Sequence, residues 1–350
     1  MLAALVAAGA PLVAAAFTPA NGTFHGLFSQ TNGVWQQSAG LVTITTTWRG
    51  TYSANVQVER SHYHHSGMLS PDGAAVFEVP QAYGDWLRVA FQVSPADADL
   101  ITGSVSNSVW AGAFSADREV FDGRLNVCPD TGRYTLILPG DPSSTNSPGG
   151  DSFGTVYVSP SGHLTFSGFL ADGHSVSQSA LVSKDGRWPL FLPLYDGNGA
   201  LYSWLFFNNS TNGALSGTVD WEKPALSWEW YYPAGFSIQT AVIGSHYARP
   251  PSGTPVLNFS NAWLEFNGGQ LQQSITNYVV LTANDRVLNL GSGWLSFSLS
   301  PVSGKFSGRY RDYSTWEDFD FYGVMLPDYN FGGGCFPGWD QSGQVRLIGQ

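Results

Sequence analysis

Three groups of side chains in this sequence have the types and spacing to do chemistry. His62-Tyr63-His64-His65 is the densest histidine cluster. On a strand His62 and His64 share one face, close enough to hold Zn²⁺ or Cu²⁺ with a third ligand such as Glu59. Two imidazoles supply only half of such a site, and otherwise the cluster is an exposed polar hairpin edge. The stretch from Trp221 to Tyr232 is the richest in aromatics and carries Glu222 and Glu229. Exposed, Trp221, Trp228, Trp230 and Tyr232 would stack on sugar rings while the carboxylates accept sugar hydroxyls. On one strand face, Trp228 and Trp230 would instead pack in a core. Finally, Asp220 with Glu222, and Asp318 with Asp320, put two carboxylates on one strand face. Glycoside hydrolysis needs a pair flanking a cleft, about 5 to 10 Å apart. Neither pair sits in a hydrolase pattern, and a solvated sheet face explains both.

Other chemistries lack their residues. No Gly-x-Ser-x-Gly elbow occurs, no Gly-x-Gly-x-x-Gly loop leads from a strand into a helix, and no Cys-x-x-Cys pair exists. No catalytic residue, metal or cofactor is therefore assigned, and the reading is non-enzymatic. The two cysteines, Cys128 and Cys335, could close one very long loop if bonded, but their separation says nothing about proximity. The sequons at Asn21, Asn208, Asn209 and Asn258 matter only in a glycosylating host.

The elements that must position these groups are strands. Leu41 to Trp48 alternates apolar Val42 and Ile44 with Thr43, Thr45 and Thr47; Trp294 to Ser300 separates apolar from hydroxyl residues more cleanly still. Tyr134, Leu136 and Leu138 repeat the pattern, as do Leu164 and Phe166. Half-buried antiparallel strands produce it, because successive side chains point to opposite faces. Between the runs lie Asp72-Gly73, Asp172-Gly173, Asp185-Gly186, Asn212-Gly213 and Asn267-Gly268, dipeptides suited to tight hairpin turns. The expected fold is all-β: an antiparallel hairpin meander in repeated units, forming β-barrels or β-sandwiches.

Composition agrees. Charged residues are 12% of 350, while 41 Gly and 20 Pro favour short strands joined by turns over helical bundles. A formal charge of −11 disfavours a nucleic-acid partner, which needs a basic face. Internal similarity places Gly73 and Gly103 opposite Gly186 and Gly217, with a third, diverged copy around Gly304 to Gly308. The expected units are residues 17–123, 124–249 and 250–350, with Arg249 to Pro255 as the clearest linker. Pro139 to Gly150 reads as a long exposed hairpin loop.

Met1 to Ala16 is apolar, too short for a membrane helix, and ends in Ala14-Ala15-Ala16, so residues 1–16 read as an export signal or its remnant. No later run is long enough to cross a membrane as a helix. The expected location is secreted or at the cell surface.

Two segments carry a family likeness. Lys184-Asp185-Gly186-Arg187-Trp188-Pro189-Leu190, with Tyr195, Gly197, Gly199 and Trp204 after it, is one. The other is Gly323-Val324-Met325-Leu326-Pro327, then Asn330-Phe331-Gly332, Gly334, Phe336, Gly338, Gly343, Val345 and Leu347. They resemble an uncharacterised group of exported β-strand-repeat proteins of environmental Gram-negative bacteria, often found downstream of immunoglobulin-like modules; no such module is expected within residues 1–350. The resemblance implies architecture and carries over no catalytic residue. Three functions remain open: an exported structural or adhesive module, a polysaccharide-binding or polysaccharide-hydrolysing protein, and an outer-membrane β-barrel. The matching partners are a polysaccharide or a surface protein.

Overall fold

The computed structural model describes residues 21–350 except 32, 34, 211, 212, 284 and 285, and not the side chains of 83, 209 and 210. The expected export signal at 1–16 lies outside the described residues. Strand makes up 57% of the described residues, and no α-helix occurs among them, so the all-β expectation holds. No helix there is long and apolar enough to cross a membrane.

The strands form three antiparallel sheets that follow one another along the chain. In the first, eight strands from Gly22–Ser29 to Ala111–Arg118 pair in sequence, and the first also pairs with the last, with Gly26 opposite Ala116. The ring opens only between Ser61–Met68 and Ala74–Pro80. The third sheet repeats this plan from Asn261–Gly268 to Ser342–Gly349, opening between Val287–Asn289 and Trp294–Leu299. The middle sheet has ten strands. Two of its ribbons are interrupted by a single residue each: Gly217 divides Gly213–Ser216 from Thr218–Lys223, and Val242 divides Phe236–Ala241 from Ile243–His246. Read as bends, these reduce the middle sheet to the same eight-strand plan.

The repeat is visible in single hydrogen bonds. Gly73, Gly186 and Gly304 each stand in the turn before the fifth strand of their sheet with positive φ. Their carbonyls accept from Val93, Phe207 and Met325, one strand further on. Only glycine reaches that turn conformation without strain.

Alternation sorts the side chains as expected. Val42, Ile44, Val56, Val89 and Val105 are buried inside the first sheet, and Leu136, Val156, Trp188 and Leu205 inside the second. Thr45, Thr165 and Ser167 point outward between them, whereas Thr46 and Ser203 hold inward positions and are buried. A barrel facing lipid has the opposite sorting, with its apolar band outside. The middle barrel is filled, with ≈ 10 Å³ of free space in its core. The interior of the middle barrel therefore offers no room for a ligand.

The sheets also touch through their outer surfaces. Leu27 packs against Phe191 and Ala200 between the first and second sheets, where Arg187 pairs with Asp117 at 2.5 Å. Ile137 and Phe153 pack against Val324, Leu326 and Cys335 between the second and third. Cys128 and Cys335 are both buried and both free thiols. The segment 139–150, expected to be exposed, is exposed only in part. Gly149 and Gly150 are buried against the third sheet, where a side chain at Gly150 would meet Cys335 and the Gly343 carbonyl at 2.5 Å.

Candidate functional site

The aromatic stretch flagged in the sequence is half strand and half loop. Val219, Trp221 and Lys223 alternate on the inner face of Thr218–Lys223 and are all buried. Pro224, with no N–H to donate, ends the strand. Residues 224–235 then form a loop closed by Leu226 N–H donating to Pro233 O and Gly235 N–H donating to Tyr232 O. Gly235 has positive φ and passes so near Lys223 that a side chain would meet the Lys223 carbonyl at 2.5 Å.

Lys223 follows an apolar pattern into the barrel, so its ammonium needs anions there. It finds Glu229 from the loop at 3.1 Å and Asp172 from the turn Leu170–His174 at 3.6 Å. The side chains of Lys223 and Asp172 are completely buried. The ammonium also lies 4.4 Å from the centre of the Tyr195 ring. Tyr195 donates its hydroxyl to Asp172, and Trp221 donates its indole N–H to the Tyr195 oxygen at 2.9 Å. His174 completes the group, with Nδ1 3.2 Å from Asp172 and Nε2 3.6 Å from Glu229. With His174 protonated, two cations face two carboxylates.

Burial alone would raise the Asp172 pKa. His174, Tyr195 and Lys223 more than offset it and leave the carboxyl below its ordinary value. Contact with Asp172 raises the His174 pKa against the effect of burial, and the Glu229 charge adds to it. Burial, with the Asp172 charge, pushes the Tyr195 phenol far upward, so it remains a donor.

On this anchor stand Trp228 and Trp230, 66% and 59% exposed. Trp230 reaches the third sheet. Its indole N–H donates to the carbonyl of Trp339, itself 72% exposed, and the two rings meet edge to face at 5.3 Å. Gln270 holds the Trp339 turn, accepting from Trp339 N–H at 3.0 Å and donating to Asp340 at 2.6 Å.

Trp221 and Tyr232, expected to contact a ligand, are buried and serve as anchors. Trp221 continues the inward alternation from Val219. Tyr232 turns inward to accept the N–H groups of Gly149 at 3.2 Å and Ser342 at 2.9 Å. Trp228 and Trp230 do not share a strand face, because the chain has left the sheet. Trp339, Asp172 and Tyr195 had no part in the sequence-based site. Trp339 had a signal: Gly338-Trp339-Asp340 places an indole in a turn.

Elsewhere, His62 and His64 do share a face, with rings stacked at 6.4 Å. Among the described residues no group of three or more His, Cys, Asp or Glu could hold a metal ion. Asp220 is bound by Gln239 at 2.6 Å, Glu222 accepts from the Gln36 N–H at 2.9 Å, and Asp318 pairs with Arg309 and Arg311.

No protein-family model matches this chain, and no curated protein does. Among solved structures, intact Ap-TbpB with its N and C lobes is similar at 7% identity and a TM-score of 0.24, over 94% of this chain and 76% of that one. Transferrin Binding Protein B of Haemophilus parasuis Hp5, a vaccine antigen, matches over the same shares at 8% and 0.22. An endo-1,5-alpha-L-arabinanase from Thermotoga petrophila RKU-1 matches at 6% and 0.22, over 93% of this chain and 82% of that one. Likeness this slight bears on neither site nor activity.

Proposed function

We propose that this protein is an exported, non-enzymatic adhesive module that holds polysaccharide at the cell surface through Trp228, Trp230 and Trp339. The observation that carries the reading is the mounting of the exposed indoles on a buried charge cluster. A loop fixed before binding loses little freedom on binding, so flat, wet aromatic faces are available at small entropic cost. Glu229 and Asp172 are tied to Lys223, which favours a structural role for them over proton transfer. The apolar stretch Met1 to Ala16 supports export.

The test is a glycan array followed by titration of the best polysaccharide. Trp228→Ala, Trp230→Ala and Trp339→Ala should each weaken binding by about tenfold or more, roughly the loss of one good contact. Wild-type protein that binds no polysaccharide, or indole variants that bind equally well, would refute the reading.

A further inference from the structure

A cavity of ≈ 740 Å³ lies away from the indole loop, in the cleft between the outer surfaces of the second and third sheets. Half of its lining residues are serines. Ser175 and Ser177, on Ser175–Leu181, form one wall; Ser298 and Ser300 at the end of Trp294–Leu299, and Ser307 on Lys305–Arg311, form the other. Alternate residues on a strand lie about 6.7 Å apart, so each wall offers hydroxyls at a regular spacing. Phe169 and Tyr322, one from each sheet, add aromatic surface with ring centres 6.0 Å apart. Tyr322 is 37% exposed.

Charge is nearly missing from this cleft. Lys305 is the one charged residue lining it, and no carboxylate does, in a chain with 26 Asp and Glu. A sheet face that meets only water normally mixes Lys, Glu, Asp and Arg among its polar residues. Here hydroxyls from two sheets face each other instead. A hydroxyl both donates and accepts, so a serine wall suits a ligand whose own groups do the same. The rings suit one with flat C–H faces, and the volume lies within the usual range for a small-ligand site.

We infer that this cleft binds a neutral oligosaccharide, with serine hydroxyls on the sugar hydroxyls and Phe169 and Tyr322 against the ring faces. This goes beyond the indole platform and does not rest on it. The competing occupant is an extended peptide, because Ser175–Leu181 and Trp294–Leu299 are both edge strands of their sheets. A peptide would draw its affinity from those backbone edges and would need pockets for alternate side chains. Paired serine walls select no side chain, whereas sugar uses walls and rings together.

The experiment uses the full chain carrying Trp228→Ala, Trp230→Ala and Trp339→Ala, so that the indole platform contributes nothing. Cellohexaose, xylohexaose, mannohexaose and maltohexaose are titrated calorimetrically up to about 10 mM, beyond the affinity of a weak site. At least one should bind. Adding Ser177→Trp, which fills the cleft, or Tyr322→Ala, which removes a ring, should lower that affinity about tenfold or more. Ser179→Trp, on the same strand but outside the cleft, should leave it unchanged. The inference is overturned if no hexasaccharide binds, if binding survives Ser177→Trp, or if only extended peptides bind in a Ser177-sensitive way. Binding by the wild type that is lost wholly with the three indole substitutions alone would also overturn it while leaving the platform reading intact.

Discussion

Trp188, fully buried in the middle barrel, donates its indole N–H to the side-chain oxygen of Gln178 at 3.0 Å, across the one seam where that barrel has no backbone ladder. The Gln178 amide in turn donates to the Pro189 carbonyl at 3.0 Å. That bond fixes which way the second strand faces. Pro189 O points into the seam, so Phe191 and Pro193 on Arg187–Leu194 do too. Two of these three residues are prolines without an N–H, which is why a direct ladder would be poor. One glutamine does the work of the missing donors.

It follows that Gln178→Ala and Gln178→Met should destabilise the protein alike. Each leaves the Trp188 N–H without a partner, a loss of about 1–3 kcal/mol in urea unfolding. Methionine keeps the volume, so a Gln178→Met protein as stable as wild type would show that packing, and not the bridge, closes the seam.

Lys223 is buried with Asp172 and Glu229 around it, and removing one member of such a group leaves the rest uncompensated. Lys223→Met should cost about 3–5 kcal/mol. Adding Asp172→Asn and Glu229→Gln removes the stranded charges, and most of the stability should return. Polysaccharide binding should not return with it, because the loop has lost the ion pair that orients Trp228 and Trp230. A triple variant that binds like wild type would mean that the loop holds its shape without the cluster.

Much of this was legible in the sequence, for a physical reason. The strands Leu41 to Trp48 and Trp294 to Ser300 could be read because burial on one face writes a period of two into the residue types. The hairpin glycines Gly73 and Gly186 were legible because few other residues tolerate positive φ. The site was legible only in part. Val219, Trp221 and Lys223 keep the inward parity, and a lysine there already implies a buried anion, but Asp172 lies 51 positions earlier in the chain, beyond any local pattern. Trp228 resembles Trp221 in type but not in its odd, inward parity, and Pro224 ends the ladder before it, so residue type alone did not separate the exposed indole from the buried one. The contact between Trp230 and Trp339 depends on how two sheets sit together, and period-two alternation within each strand does not encode that.

The same cluster makes the loop sensitive to pH in a definite direction. The groups facing His174 are Asp172 on its own turn, Glu229 on the loop and Lys223 on the strand, with the Tyr195 ring edge to face at 5.0 Å. The His174 pKa is raised above its ordinary 6.5, so the folded protein holds this proton more tightly than the unfolded chain. That stabilisation is complete below the unfolded value and is lost as pH rises through the folded one. Asp172 runs the other way. Its pKa lies below the ordinary 3.8, so its contribution is present above that value and is lost as pH falls through the folded one. The loop should therefore be firmest in mildly acidic solution. Thermal stability and polysaccharide affinity should both decline from about pH 6 to about pH 9, and His174→Gln, which carries no titrating proton, should flatten the contribution from this group. Measuring both proteins across that range separates His174 from the other histidines, because only its share of the slope disappears. Identical profiles for wild type and His174→Gln would mean that the charge balance around Lys223 does not control the loop.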